Sequence, residues 1–406
     1  MNTKNNFVNS YPAIWLVLLG TAGTFALSMG VRQSMGLFLS PMNTSTGLGV
    51  GNISLAFAFG QLWWGLTQPF AGAVADKLGA GRVLFIGLVL VALGTFITPL
   101  MTTTAGLIFA IGILGAGGAG IAGPAVLMAT ATRMIPAEKR GLATGIINAG
   151  GSFGQFLMAP LAVWLMSLYG WNNAMQILGL VILLALPAAF LLRGKPVQNT
   201  AAGQAPTSTK DAIYSALKTP SYLMLAAGFL VCGFHVAFLA THLPGVISLC
   251  GLPPTYGAWS LGILGLFNIV GSISMGLAVS RWRMKSLLSL LYAARAVAII
   301  VFLLTPKTGP VVLVFAAVMG LTFLSTVPPT AGLVAKFFGP AHMASLFGII
   351  MLAHQVGGFL GVWLGGKIFE ANGNFNLLWY IDICLAVGAA LIHLPIKEKQ
   401  LQLQAT

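Results

Sequence analysis

Long apolar runs with almost no charge constrain this chain more than any other feature. Val83–Leu100 and Ile177–Leu192 contain no charged residue at all. Only 6% of the 406 residues are charged, against roughly 25% in soluble proteins. So few charges cannot clothe a surface in water, so most of the surface must face lipid. Lipid leaves unpaired backbone groups unsolvated, which restricts the options to helices or a closed barrel. The runs are continuous, whereas barrel strands alternate over ~10 residues. Helices of ~20 residues span the hydrocarbon, and the chain has room for twelve. The expected spans are 12–39, 52–75, 82–101, 104–131, 141–168 and 172–192, then 221–246, 255–279, 285–305, 309–334, 343–366 and 376–396.

The net charge of +14 has a topological reading. With the N-terminus placed in the cytoplasm, sixteen of the twenty Lys and Arg fall in inner segments. Only Lys307 and Lys367 fall outside, and Arg32 and Arg295 lie within spans. That asymmetry is the positive-inside pattern. It predicts cytoplasmic termini in a multi-pass protein of the cell inner membrane, and it removes the case for a nucleic-acid partner. The first apolar run is too long for a signal-peptide core. Cys232, Cys250 and Cys384 show no paired spacing, so neither a disulfide framework nor a metal site is expected.

The polar stretch Arg193–Pro220 reads as a linker, with a short surface helix over Lys210–Leu217. It divides the chain into bundles at 1–193 and 221–406, joined by 194–220. The halves correspond at an offset of 204. Gly47-Leu48 answers to Gly251-Leu252, Gly72 to Gly276, Pro136-Ala137 to Pro340-Ala341, Leu142 to Leu346 and Gly154 to Gly358. Duplicated membrane halves with a site between them are a transporter architecture. The expected fold is an all-α membrane protein of twelve transmembrane helices in two pseudo-symmetric six-helix bundles.

The loop after the second span carries Gly72, Asp76, Lys77, Gly79 and Arg82. It resembles the signature G-x-x-x-D-[RK]-x-G-x-[RK]-[RK] of the major facilitator superfamily, with Gly81 in place of the first closing basic residue. The second copy keeps Gly276, Arg281 and Arg283 but has Ser280 where the acid would stand. Within that superfamily, Val31–Phe38, Ser325–Thr330 and His354–Gly361 are similar to bacterial carriers allied to the monocarboxylate and oxalate–formate groups. The arginine of span 8 and the lysine of span 11 usual in those groups are absent. Span 8 offers Asn268 and span 11 offers His354 instead. The resemblance implies the major facilitator fold, spans 1 and 11 along a central cavity, and a signature loop that latches the halves through Asp76, Lys77 and Arg82.

A charge near the bilayer centre costs ~2.5–3.5 kcal/mol on insertion scales, so the few polar groups inside spans are the candidates. Arg32 offers a fork suited to a carboxylate, or it snorkels to the outer surface. Arg295 and Asp382 lie on spans that are neighbours in the superfamily fold. They are expected as an ion pair, with proton coupling by Asp382 as the sharper alternative. His354 could carry a proton near neutral pH or simply pack, with Gln355 beside it. His235 and His242 share a helix face and read as gating or substrate contacts. Gln61 and Gln68 accompany Trp63 and Trp64 on span 2. Asn148 and Gln155 share a face of span 5, where bonds between helices would account for both. Gly118-x-Gly120-x-x-Gly123 has no preceding strand, so it is not a dinucleotide fingerprint.

The substrate-contact set is therefore Arg32, Gln61, Asn148, Gln155, His235, His242, Asn268, His354 and Gln355. No nucleophile–base pairing, metal cluster or phosphate loop suggests an enzyme, a metal or a cofactor. The expected function is secondary transport of a small organic anion such as a monocarboxylate by a monomer in the lipid bilayer, with proton coupling through His354 or Asp382. Efflux of a neutral or amphipathic compound, and a non-transporting membrane sensor, are the alternatives.

Overall fold

The computed structural model describes residues 11–134, 140–192, 209–339 and 343–399. Among these residues every regular element is helical. Most of the expected linker and the two Pro-Ala pairs of the repeat lie outside the described residues. So do the side chains of Asp76 and Leu142. The expected surface helix is present as Thr209–Leu217.

Span 1 is Tyr11–Ser34, prolonged by a 3-10 turn, Met35–Phe38, and a short helix, Leu39–Thr46. Span 2 is Val50–Leu78 and span 3 is Ala80–Ile97. Span 4 is built from pieces: Thr104–Leu107, a π-helical stretch Ile108–Ala116, Gly117–Ile121 and Pro124–Met134. Spans 5 and 6 share Arg140–Ile182, which turns at Gly170 (φ 74°) and ends with Leu186–Leu191. Spans 7, 8 and 9 are Pro220–Leu249, Pro254–Ala278 and Met284–Leu304. Span 10 is interrupted, as Gly309–Thr322 and Val327–Phe338. Spans 11 and 12 are Met343–Asn372 and Asn376–His393.

Ten segments meet the length and hydropathy needed to cross a bilayer. The segment 143–191 counts twice because of the turn at Gly170, and Val50–Leu78 brings the described spans to twelve. At 29 residues and ~1.5 Å per residue, Val50–Leu78 is long enough. Its hydropathy is lowered by Asn52, Ser54, Gln61, Thr67 and Gln68, which suits a helix turned toward protein. Large apolar side chains such as Leu19, Phe70, Leu184 and Leu304 stay exposed, as a lipid-facing surface requires.

The repeat is visible in the backbone. Gly47 and Gly251, 204 residues apart, both take left-handed φ, at 65° and 74°. Spans 4 and 10 both break, after Ile121 and after Thr322. Span 5 packs on span 1 as span 11 packs on span 7, through glycines that bring the backbones together. A Cβ at Gly150 would stand 2.6 Å from the carbonyl oxygen of Ala22, and one at Gly361 would stand 2.5 Å from that of Phe234. Close approach of small residues is how helices associate where lipid supplies no hydrophobic drive.

The halves meet along two seams, span 2 on span 11 and span 5 on span 8. Gly65 packs against Gln355 across the first, and Gly265 against Ser152 and Gln155 across the second. Gly72 and Gly348 lie seven residues from Gly65 and Gln355, on the same helix stripes. Gly145 and Gly276 stand likewise, seven and eleven residues from Ser152 and Gly265. Yet a Cβ at any of these four glycines would meet nothing within 4 Å. The seams are therefore parted toward the face that carries the start of span 1 and the end of span 12, here called the termini face.

At the opposite face the seam is shut. Gly366 of span 11 packs against Ser54, with Val50 O 3.0 Å from its Cβ position. The carboxylate of Glu370, paired with Lys367 at 2.9 Å, rests on Gly49 and Gly51 at the start of span 2.

Candidate functional site

A cavity lies among spans 1, 2, 3, 4 and 7, lined mostly by the N-terminal half. Its empty volume, mouth included, is about 620 Å³. Val31, Met35, Phe57, Val91 and Ile111 give it an apolar wall, while Arg32, Gln61, Thr95, Thr98 and Thr241 bring polar atoms. Gly36, Gly60 and Gly115 complete the lining, and a Cβ at Gly36 would run into the Ala240 carbonyl, so this glycine lets spans 1 and 7 approach.

Arg32, in the last turn of span 1, supplies the cavity's cation. One Nη donates to Gln61 Oε1 at 2.5 Å, and the other points at Met29 Sδ at 4.0 Å. The guanidinium stands 4.8 Å from the centre of the Trp64 ring, a distance at which the ring's quadrupole attracts a cation. Among the described residues no carboxylate lies within 4 Å of Arg32. A half-buried guanidinium whose acceptors are one amide oxygen and one thioether sulfur retains unused donor capacity.

The expected Arg295–Asp382 pair is not formed, and this is a correction. Spans 9 and 12 are neighbours as expected, joined by Ser289 Oγ donating to Ala390 O at 2.8 Å. Arg295 turns instead to the break in span 10. It donates to Phe323 O at 2.7 Å and also to Thr322 O, with Cys232 Sγ 3.7 Å away. The break leaves carbonyls without helical partners, and the guanidinium answers them. Asp382 takes His235 Nδ1 of span 7 at 2.5 Å, with both side chains at most 1% exposed. The contact is one of distance alone: neither ring nitrogen of His235, neither carboxylate oxygen of Asp382, nor Arg295 Nη1 has a hydrogen-bond partner among the described residues.

The remaining expected residues scatter. His242 bonds Val362 O at 2.8 Å and packs against Phe238 and Phe375. His354 is buried 4.9 Å from the Phe229 ring centre, with neither ring nitrogen hydrogen-bonded. Gln355 faces Gly65, and Gln155 faces Gly265 with its Nε2 unpartnered. Asn268 bridges the halves, donating to Ser152 Oγ at 2.8 Å and accepting from the Leu324 N–H at 2.9 Å. Asn148 is exposed on the parted stretch of span 5, where the expected bonds between helices do not hold it. Lys77 and Arg82 are exposed at the termini face.

Of the expected substrate set, then, the structure brings only Arg32 and Gln61 into this cavity. Sequence reasoning passed over Thr95, Thr98 and Thr241, because threonine is an ordinary residue in a span. It also passed over Cys232, whose partners are Phe323 and Thr326 at the break in span 10 and Arg295 of span 9.

Comparison with known proteins places this geometry. The family model described as Major Facilitator Superfamily matches residues 21–362. Monocarboxylate transporter 13 of Rattus norvegicus is 25% identical, over 94% of this chain and 89% of its own. The oxalate:formate antiporter of Oxalobacter formigenes is 27% identical, over 90% of this chain and 87% of its own. The solved nucleoside transporter NupG superposes with a TM-score of 0.76 at 16% identity, covering 95% of this chain and 98% of that one, which is a likeness of fold. Twelve spans, a repeat at an offset of 204, seams parted at one face and a family match over most of the chain lead to one conclusion: this protein belongs to the Major Facilitator Superfamily of transporters.

Proposed function

We propose that this protein is a secondary transporter of a small organic anion, a monocarboxylate in the first instance, and that Arg32 is the anchor for its carboxylate. One observation carries the reading: a guanidinium in the inter-span cavity has a single oxygen acceptor, from a neutral amide, and no carboxylate within 4 Å among the described residues. Two parallel N–H···O bonds from a guanidinium to a carboxylate are stronger and more directional than one bond to an amide. The apolar wall suits a short hydrocarbon tail. The names of the relatives, a monocarboxylate transporter and an oxalate:formate antiporter, agree with this chemistry. The two halves, 1–193 and 221–406, rock about the seams, and the lysine and arginine asymmetry argues that the termini face is cytoplasmic.

We read the coupling ion as a proton. The support is the buried His235–Asp382 pair, an acid and a base 2.5 Å apart with no permanent cation between them. The test is flux. Purified protein in sealed liposomes should take up labelled formate, acetate, lactate or oxalate. Uptake should rise with an inward proton gradient and collapse with a protonophore. Arg32→Gln should cut uptake at least about tenfold, since a hydrogen bond to a charged group contributes about 1.5–3 kcal/mol. Wild-type rates in Arg32→Gln would remove the anchor. Sensitivity of cells to hydrophobic toxins without any carboxylate flux would favour efflux of amphipathic compounds instead.

A further inference from the structure

Gln61 holds Arg32 from a distinctive place. Its Oε1 lies 2.5 Å from an Nη of Arg32 and is the one oxygen acceptor that guanidinium has among the described residues. The same side chain stands on the seam between the halves, its Cβ and Cγ both 3.6 Å from the Cβ position of Gly358 on span 11. Gly65, one turn further along span 2, is packed by Gln355 of span 11. One side chain thus touches the cation of the cavity and the helix across which the halves must part.

We propose that Gln61 is an internal stand-in for the substrate carboxylate, a displaceable acceptor that sets anion affinity and reports occupancy of Arg32 to the span 2–span 11 seam. The proposal rests on reading Arg32 as the anion anchor. In the empty carrier the amide oxygen satisfies one Arg32 donor. A carboxylate offers two oxygens and a full negative charge, so it outcompetes the amide at the same nitrogens. The released amide can then be satisfied only by turning within the cavity or against span 11. Binding thereby changes a contact between the halves. The cost of displacing Gln61 is a tax on affinity, and its release is a signal for movement.

A purely structural glutamine would give the same sign of effect for every replacement. The stand-in gives opposite signs. Gln61→Glu places a carboxylate on Arg32 permanently and should raise the KM for the carboxylate several tens of fold. Gln61→Ala removes the competitor and should lower KM about tenfold. It should also lower the maximal rate, because occupancy no longer alters the seam. Gln61→Asn, too short to reach Arg32, should behave like Gln61→Ala and guards against misfolding of any one variant.

The measurement is initial-rate uptake of labelled formate, acetate, lactate and oxalate by full-length protein in liposomes, with Arg32→Gln run alongside. Opposite movements of KM in the Glu and Ala variants support the proposal. If the Gln61 variants match the wild type, or all weaken it alike, while Arg32→Gln is inactive, the stand-in is wrong and the anchor stands. If Arg32→Gln transports as the wild type does, the anchor itself is wrong and the stand-in falls with it.

Discussion

Charged and polar side chains within the spans are few, and each finds a different way to live there. Arg32 uses the cavity and an aromatic face, Asp382 uses a histidine, and Arg295 uses the carbonyls that a broken helix exposes. Arg295 is 1% exposed and keeps no acid beside it, so its role is to satisfy Thr322 and Phe323. Arg295→Leu should therefore destabilise the protein by about 3 kcal/mol, the order expected when buried polar groups lose a charged partner. Arg295→Lys should recover part of that loss. Unfolding in detergent measures both, and an unchanged midpoint for Arg295→Leu would contradict the role. The sequence made these residues conspicuous because charge in lipid is costly, but it did not give their partners. Arg295 and Asp382 lie on adjacent spans, yet pairing depends on helix rotation, at ~100° per residue. It also depends on a break that the sequence marks only by Pro328 and Pro329. His235 and His242, seven residues apart, shared a face as read, and that face meets spans 11 and 12 rather than the cavity.

At the scale of elements, span number, order and the internal repeat were legible because each rests on local hydropathy or on glycines that recur at a fixed offset. The segmentation of span 4 and the turn-by-turn path of span 10 were not, since they answer to contacts from other helices. Asn268 fixes the Leu324 N–H while Arg295 fixes the carbonyls just before it, so the break in span 10 is held from two neighbouring spans. The glycines now divide into two kinds. Gly154 packs onto the Ala26 backbone, whereas Gly348 faces open space on the seam. Gly154→Leu should prevent folding or cost more than the ~1–3 kcal/mol usual for overpacking. Gly348→Leu should leave the melting temperature within a few degrees of wild type, yet cut transport at least about tenfold by propping the seam apart. Full transport by Gly348→Leu would show that this stretch never closes.

For the whole molecule, the seams are shut around Gly49, Gly51, Gly366 and Glu370 and parted around Gly72, Gly145, Gly276 and Gly348, an arrangement that the proposed transport cycle reads as one of two states. Seams shut at one face and parted at the other serve a carrier only if the opposite arrangement also forms. The direct measurement is a pair of spin-label distances across the halves, with Cys250 and Cys384 replaced by serine. One pair, Gly145→Cys with Gly276→Cys, reports the termini face, and the other, Thr44→Cys with Thr255→Cys, reports the opposite face. Adding the transported carboxylate should create a population with a shorter distance at the termini face and a longer one at the opposite face. Distances that stay fixed, or that lengthen or shorten together at both faces, would contradict alternating access in this protein.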